Sequence, residues 1–226
     1  MLSIVIPTLN AAAGLPRALA ALEEGRSDGL VTEIVVADGG SEDATLAVAR
    51  AAGALLVETA AGRGGQLGAG AETASGDWLL FLHADTVLAP GWAAEARRFI
   101  AEAAEAERAA AFRFALDDDR PAARRLERVV AWRCRLFGLP YGDQGLLISK
   151  RFYRSLGGFR PLPLMEDVDL TRRIGRSRLA HLETAALTSA ARYRRSGYLL
   201  RSARNLVCLT LYLAGAPLAA VSRLYG

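Results

Sequence analysis

The stretch TEIVVADGGSEDATLAVARAAG, residues 32–53, has the pattern of a buried strand joined to a helix through a short polar turn. Its apolar run IVVA is continuous rather than alternating, and it stops at Asp38 followed by two glycines. Continuous apolar strands are typical of parallel sheets that helices cover on both faces. We predict a strand ending at Asp38 and then a helix, with Ser41 as its N-cap and Gly53 as its stop.

The same unit recurs, so that strand and helix alternate four times in the first half of the chain. The other predicted strands are LSIVIPTLN, ALLVETA and GDWLLFLHADT, and the other predicted helices are Gly14–Glu24, the stretch after GRGGQ, and Pro90–Arg108. Ligands of such sheets bind beyond the carboxyl ends of the strands. Polar residues follow three of those ends, at 7–10, 38–41 and 83–85, and we expect them to face one crevice.

The second half differs in character. AFRFALDDD and RLAHLETAAL predict strands, while Pro121–Phe137 and EDVDLTRRI predict helices. From Arg194 onward the chain is helical, first basic and then apolar. We predict an α/β domain over residues 1–193 and a C-terminal helical appendage over 194–226. Its apolar stretch, 206–221, is short for a span of about 20 residues, which leaves packing on the domain, a homodimer contact or an interfacial membrane contact open.

Composition limits the class of protein. With 226 residues, 52% of them hydrophobic, the chain can bury one sizeable core. Acidic residues outnumber basic ones 15 to 7 over residues 1–110, whereas basic residues outnumber acidic ones 21 to 9 over 111–226, which favours an anionic ligand or surface. Cys134 and Cys208 match no metal or redox spacing, and the N-terminus has no signal-peptide pattern. We therefore expect a cytoplasmic protein, and no motif favours nucleic-acid binding.

Asp85 is a candidate metal ligand. It follows the apolar run WLLFL, and a carboxylate at a strand end can hold Mg²⁺ or Mn²⁺ against a diphosphate. The alternative is an N-cap, because Asp85 or Thr86 could start the helix after Pro90. Spacing alone leaves both interpretations open.

Two other motifs carry alternatives of their own. Glu166, Asp167 and Asp169 open a helix, where acids complement the helix dipole; the functional alternative is a general base at the rim of the crevice, with its neighbour for orientation. GRGGQLG, residues 62–68, is glycine-rich without the G-x-G-x-x-G spacing after the first strand, so a dinucleotide site is not favoured. The flexible turn that remains would still let Arg63 approach a nucleotide.

Taken together, these motifs resemble the family 2 glycosyltransferases with a GT-A fold. The resemblance rests on SIVIPTLN, EIVVADGGSEDAT, GRGGQLGAGAETASGDWLLFLHADT and GLLISKRFYRSLGGFRPLPLMEDVDLTRRI, in the family's order over residues 1–174. GRGGQ, HAD and PYGDQG further resemble a small bacterial subgroup associated with genes of selenium or arsenosugar metabolism. The resemblance implies a nucleotide-diphosphate-sugar donor, a small-molecule or lipid acceptor and a divalent cation, Mg²⁺ or Mn²⁺.

The resemblance also implies residue roles. Asp167 would be the catalytic base with Glu166 beside it, and Asp85 the metal ligand in the position of the family's D-x-D motif. The nucleotide-sugar site would consist of Pro7, Thr8, Asn10, Asp38, Arg63, His83 and Asp85. The acceptor side would consist of Asp143, Gln144, Gly158 and Phe159, with Gly157 beside them.

Two departures from the family pattern matter. His83 replaces the first Asp of D-x-D, and an imidazole can donate, accept or ligate there. No Q-x-x-R-W motif follows Glu166-Asp167, which favours transfer of a single sugar over polymerisation. His181 is either a third metal ligand, as some GT-A enzymes use, or a packed or surface residue.

The sequence thus predicts an inverting, metal-dependent hexosyltransferase-like enzyme that moves one sugar from a nucleotide sugar to an acceptor hydroxyl. Because His83 departs from the pattern, a catalytically impaired nucleotide-sugar sensor stays open. A sugar nucleotidyltransferase would share the sheet and the metal carboxylate, but it needs a basic activating loop that SIVIPTLN does not provide.

Overall fold

The computed structural model describes residues 1–225 and contains eight strands and ten α-helices within that range. The strands are β1 (Leu2–Thr8), β2 (Val31–Asp38), β3 (Leu55–Glu58), β4 (Trp78–Phe81), β5 (Thr86–Leu88), β6 (Ala109–Leu116), β7 (Leu146–Ser149) and β8 (Leu179–Thr188). The helices are α1 (Leu15–Ser27), α2 (Thr45–Ala51), α3 (Arg63–Thr73), α4 (Trp92–Glu102), α5 (Pro121–Phe137), α6 (Lys150–Ser155), α7 (Glu166–Ile174), α8 (Ala191–Ser196), α9 (Tyr198–Leu213) and α10 (Leu218–Tyr225).

All eight strands form one sheet in the order β3-β2-β1-β4-β7-β6-β8-β5. Strands β1 to β4 run parallel to their neighbours in the first half, and β6 is parallel to β8. β7 is antiparallel to both β4 and β6, and β5 is antiparallel to β8 at the edge. The mainly parallel α/β sheet that the apolar strands predict is therefore confirmed, with one antiparallel strand, β7, inserted from the second half and a second, β5, at the edge.

Helices cover both faces of the sheet. Successive side chains of β1 point in opposite directions, so this strand contacts both helical layers. Ile4 and Ile6 pack with the cluster that includes α1 and α4, whereas Val5 packs with Leu67 of α3 and with α6 and α7. Every one of these β1 side chains is fully buried. The carboxyl ends of β1, β2 and β4 are consequently left as the open edge between two helical layers.

Three local predictions were wrong. Helix α2 begins at Thr45 rather than Ser41, because the Ser41 hydroxyl donates to Asp38 instead of capping the helix. Helix α3 already begins at Arg63, so most of the glycine-rich stretch is helix rather than turn. β4 ends at Phe81, and the following residues turn away from the sheet before β5.

The early end of β4, followed by β5, excludes the interpretation of Asp85 as a helix N-cap. Thr86 lies in β5, and the N-cap of α4 is Gly91, so neither Asp85 nor Thr86 caps a helix. Helix α4 is also shorter than predicted, beginning at Trp92 and ending at Glu102.

The C-terminal helices α9 and α10 form a hairpin beside α7. Cys208, Leu209 and Val221 are buried against Met165 and Val168. Among the described residues, no helix is both long enough and apolar enough to cross a membrane. The hairpin thus packs with one face on the part of the domain that carries the predicted catalytic acids.

Candidate active site

The ends of β1 and β2 are joined by a buried carboxylate. Asp38 accepts hydrogen bonds from the Thr8 hydroxyl (2.7 Å), from the Ser41 hydroxyl and backbone N–H (2.6 and 2.7 Å) and from the Gly40 N–H (2.9 Å). It is 1% exposed. Asp38 therefore stabilises the loop that follows β2, and its contact with a nucleotide stays a prediction.

Gln66 makes a second connection between the same two strand ends, which sequence reasoning missed. Its Nε2 donates to the backbone carbonyls of Thr8 (2.7 Å) and Ala37 (2.9 Å), and the side chain is buried. The available signal was its position in α3, one turn after Arg63, which brings both residues near one side of the helix. GRGGQ thus contributes a buried organising residue as well as an arginine.

The predicted residues of the β1 end surround this junction. Pro7 lies inside β1 opposite Ala37 of β2. Asn10 has a left-handed backbone, with φ of 51°, which is uncommon for a residue other than glycine. Its side-chain oxygen accepts from the Glu42 N–H (2.9 Å) and its own N–H donates to the Ser41 hydroxyl (2.8 Å), so it fixes the two loops against each other.

Arg63 lies between the predicted nucleotide side and the predicted catalytic acids. Its Nη1 is 3.5 Å from Glu166 Oε1, and Asp167 and Asp85 are its next acidic neighbours. Three carboxylates thus share the field of one guanidinium. This local excess of negative charge favours a site that takes up a cation.

Glu166 and Asp167 differ sharply in environment although they are adjacent. Glu166 is 1% exposed, and burial, reinforced by Asp167, raises the pKa of Glu166 to about 7. Asp167 is half-buried; one carboxylate oxygen accepts from the Gly142 N–H and the other from the Val168 N–H, both at 2.7 Å. Met165, directly before them, has φ of 64°. Such backbone strain concentrates at functional sites.

His83 faces Asp167 across Gly142. A Cβ placed on Gly142 would lie 2.5 Å from His83 Nε2 and 3.5 Å from Asp167 Oδ2, so only glycine fits between them. Burial, assisted by the positive charges of Arg63 and Arg192, lowers the pKa of His83 well below 6.5. The imidazole is therefore neutral at physiological pH. The role of Gly142 was missed, and PYGDQG was the signal that could have indicated it.

Asp85 lies on the exposed rim. Within residues 1–225, its carboxylate has no hydrogen-bond or ion-pair partner, and the backbone of Gly14 at the start of α1 lies against it. No three His, Cys, Asp or Glu side chains of the described residues converge on a ready-made metal site. Mg²⁺ usually takes only one or two protein carboxylates and completes its coordination with phosphate oxygens and water. A free carboxylate at this rim fits that pattern.

The predicted acceptor residues divide into two groups. Asp143 Oδ1 is buried without a hydrogen-bond partner, and burial raises the pKa of Asp143 to about 7. Gln144 instead turns inward, where its Nε2 donates to the Phe112 carbonyl (3.0 Å). Gly158 has φ of 64°, which favours glycine, and the Phe159 ring packs edge-on against Phe81.

A small pocket opens between these elements. Its walls are mostly apolar, and its polar lining comes from His83, Glu166, Asp167 and Thr171. The apolar lining includes Leu67, Phe81, Pro140, Tyr141, Leu146 and Phe159. The pocket therefore lies directly beside the acids that the sequence predicts as catalytic.

Two further residues border the site without having been predicted. Tyr225 of α10 lies close enough to Arg63 to act on its charge, and the Arg201 guanidinium lies 4.8 Å from the centre of the Tyr225 ring. No sequence pattern near the chain end indicated this. His181, by contrast, lies in the first half of β8 beside Cys134 and Arg135 of α5, which places it among surface and packing contacts rather than beside Asp85.

Part of this chain is similar in sequence to curated glycosyltransferases. The PGL/p-HBAD biosynthesis glycosyltransferase of Mycobacterium bovis (strain BCG) is 40% identical over 95 residues, which cover 39% of this chain and 36% of that protein. A protein of the same name from Mycobacterium tuberculosis matches equally. The chain thus spans about a third of the length of these curated relatives.

Solved structures share the architecture over nearly the whole chain. Glucosyl-3-phosphoglycerate synthase of Mycobacterium tuberculosis, crystallised with Mn²⁺, UDP and its product, superposes with a TM-score of 0.61 at 22% identity, covering 96% of this chain and 81% of that one. S. aureus TarS (residues 1–349) superposes with a TM-score of 0.63 at 15% identity, covering 99% and 69%. These likenesses show that the fold is GT-A. The sequence profile of Glycosyl transferase family 2 matches residues 3–153, and the chain belongs to that family.

Proposed function

We propose that this protein transfers one sugar from a nucleotide-diphosphate sugar to an acceptor hydroxyl, with inversion at the anomeric carbon. The observation that carries the proposal is the pairing of two carboxylates at one crevice. Asp167 is held by two backbone N–H groups, and Asp85 is free at the exposed rim, with Arg63 near both. One carboxylate is thus oriented for proton transfer while the other remains available to a ligand.

In this proposal Asp167 is the general base. The acceptor oxygen attacks the anomeric carbon from the face opposite the diphosphate, its proton passes to Asp167, and the bond from the anomeric carbon to the phosphate oxygen breaks. The N–H groups of Gly142 and Val168 fix the carboxylate and leave its remaining lone pairs free. Glu166 and Arg63 form the buried ion pair behind it and act as positioning residues.

Asp85 would hold a divalent cation, Mg²⁺ or Mn²⁺, together with the donor. When bound, the cation would neutralise the charge of the departing diphosphate. Arg63, close to Asp85, is suited to contact the phosphates or the base. Pro7, Thr8, Asn10 and Asp38 would form the nucleotide side, and we favour uridine because structural neighbours were crystallised with UDP.

The acceptor would enter from the side of Asp143, Gly158 and Phe159, and Phe159 also lines the small pocket, whose walls are mostly apolar. That lining suits either a small molecule or a lipid-linked hydroxyl. Gln144 would act through its loop, since its side chain points inward. The narrower resemblance to the selenium- or arsenosugar-associated subgroup, single-sugar transfer and a cytoplasmic location remain predictions of the sequence.

A panel of nucleotide sugars, with and without Mn²⁺, tests the donor site. A ligand that binds only the folded state raises its thermal midpoint. We expect one nucleotide sugar to raise the midpoint of the wild type only when Mn²⁺ is present, and Asp85→Asn to lose that metal-dependent increment. Asp119→Asn, at a fully exposed acid, is the matched control. An Asp85→Asn variant that keeps the full increment would remove Asp85 from the metal site.

A second candidate function is a nucleotide-sugar sensor, and the environment of His83 is the observation that favours it. His83 is neutral and half-buried where the family pattern places an Asp, which is compatible with a sensor that binds nucleotide sugar without turning it over. A sensor would show the metal-dependent midpoint shift but would release no nucleoside diphosphate. Slow donor hydrolysis by the wild type would exclude it.

A further inference from the structure

The outer face of α9 is apolar although it faces solvent. Five large side chains on this face are between 45% and 89% exposed, and we call them the α9 stripe: Leu199, Leu200, Leu206, Val207 and Leu213. Leu199, Leu206 and Leu213 recur at intervals of seven residues, or two helical turns, as do Leu200 and Val207, so the five share one side of the helix. Ala203 and Thr210 fill the gaps, and Arg204, next to Leu200 and Val207 on the helix surface, borders that side.

The opposite face of the same helix is already used. Cys208 and Leu209 are buried against Met165, Val168 and Val221. A helix on a soluble domain normally places its apolar face inward and its polar face outward. Since α9 is apolar on both sides, packing on the domain does not account for the stripe. Contiguous exposed apolar surface of this kind marks an interaction site.

The surroundings of the stripe are strongly basic. Segments 117–137 and 191–225, which contain α5 and α8 to α10, carry 12 arginines and four acidic residues, and no acid follows Glu183. The acids are neutralised locally by ion pairs with Arg120, Arg124 and Arg194. These acids are Asp117, Asp118, Asp119 and Glu127. The unpaired surplus therefore consists of arginines.

The neighbouring helix α5, which contacts α9, has the same character. Its solvent face exposes Val129, Trp132 and Leu136 among Arg125 and Arg128. Arginine with exposed Trp and Leu is the composition of segments that lie in a membrane interface. Helices α5 and α9 thus both expose apolar side chains that are surrounded by arginines.

The positive charge around the α9 stripe distinguishes between two possible partners, a second copy of this chain and a lipid surface. A two-fold contact with a second copy would bring the arginines around the stripe of one copy against those of the other, and this repulsion is unfavourable. An anionic lipid surface complements the arginines, and its acyl boundary accepts the leucines. We propose that the α9 stripe docks this protein on an anionic membrane, with α9 lying in the plane of the interface.

This orientation has a consequence for the crevice. Because the inner face of α9 packs on Met165 and Val168, docking would place Asp167 only one helix layer from the lipid. Membrane docking does not depend on the proposed catalysis, since it concerns binding to a surface. In this orientation the crevice could reach acceptors held at the lipid surface.

Vesicle co-sedimentation of the full chain tests the proposal. The probes are vesicles of phosphatidylcholine alone and of phosphatidylcholine mixed with phosphatidylglycerol, each at low and high NaCl. We expect the wild type to bind the mixed vesicles, less at high salt, and to bind pure phosphatidylcholine weakly. Leu206→Glu should weaken binding about tenfold or more, because a charge replaces a leucine that would enter the lipid.

Leu55→Glu is the matched control, since Leu55 is an equally accessible leucine (48% exposed) on edge strand β3. Thermal midpoints of both variants check that each is folded. A wild type that stays in solution with both kinds of vesicle overturns the proposal, as does Leu206→Glu binding like the wild type or Leu55→Glu losing binding equally. Sedimentation velocity without lipid covers the remaining partner: a wild-type dimer that Leu206→Glu dissociates, with no vesicle binding, assigns the stripe to a second copy.

Discussion

Glu166 shows how burial rather than sequence position determines the chemistry of an acid. It adjoins Asp167, yet it is almost fully enclosed and ion-paired to Arg63, while Asp167 is half-buried and held by backbone donors. In the folded protein its raised pKa means that Glu166 binds a proton between about pH 4.5 and 7, where the unfolded chain does not. Asp143, also raised to about 7, acts in the same direction.

These shifts predict the pH dependence of stability. Because the folded state binds more protons in that window, the free energy of unfolding should fall as pH rises from about 5 to 7. Glu166→Gln, which cannot ionise, should flatten that decline when thermal midpoints are measured against pH. Glu72→Gln, at an exposed acid, is the control. A Glu166→Gln profile parallel to the wild type would show that Glu166 is already ionised throughout.

Gly142 is the residue on which the orientation of Asp167 depends. Its N–H donates to Asp167, and there is no room for a side chain between it and His83. Gly142→Ala should therefore displace the His83 ring or the N–H, and reduce the rate of nucleoside diphosphate release about tenfold or more, with a stability loss of about 1–3 kcal/mol.

A double-mutant cycle separates this steric cause from a general loss of packing. His83→Ala in the Gly142→Ala background removes the ring that the new methyl group would strike. We expect the double variant to recover stability relative to Gly142→Ala, giving a non-additive coupling. Additive losses would mean that His83 and Gly142 do not restrict each other.

At the scale of elements, α3 owes its position to glycine. A Cβ on Gly64 would overlap the Arg160 carbonyl, and one on Gly70 would overlap the Val5 methyl group, whereas a Cβ on Gly65 would meet nothing within 4 Å. The helix thereby packs closely enough for Gln66 to reach the carbonyls of both neighbouring strands.

Gly70 and Gly65 predict opposite outcomes for substitution by alanine. Gly70→Ala should lower the free energy of unfolding by about 1–3 kcal/mol, because overpacking forces the helix from the sheet. Gly65→Ala should raise it by about 0.5–1 kcal/mol, because Ala favours helix and the space is open. Urea denaturation at constant m-value measures both. Equal effects at the two positions would contradict the close packing of α3.

Elements also show what the sequence could and could not predict. The first four strands and helix α5 were predictable, because continuous apolar runs and a proline start are local signals. The end of β4 was not, because the apolar run continues through Leu82, whereas the pairing of β4 with β7 stops at Phe81. The start of α3 was missed because glycine disfavours helix locally, whereas close packing on β1 and β2 requires it.

At the scale of the molecule, the convergence of β1, β2 and β4 at one edge was predictable, since parallel strands share a carboxyl edge. The position of α10 was not, because no pattern in the last segment indicates that the Arg201 guanidinium lies 4.8 Å from the centre of the Tyr225 ring. The separate environments of Glu166 and Asp167 likewise depend on the Gly142 loop and on α3. The family pattern indicated both acids, whereas the difference in their burial is a property of the fold.

In the proposed reaction Asp167 takes the acceptor proton and plays no part in holding the donor. Nucleoside diphosphate release and donor binding can be compared in wild type and Asp167→Asn, using the donor that the panel identifies and Mn²⁺. We expect an unchanged donor-dependent thermal shift and a rate of release reduced about 10²- to 10⁴-fold in Asp167→Asn, with Asp119→Asn like the wild type. Release at the wild-type rate by a folded Asp167→Asn variant would show that Asp167 is not the base.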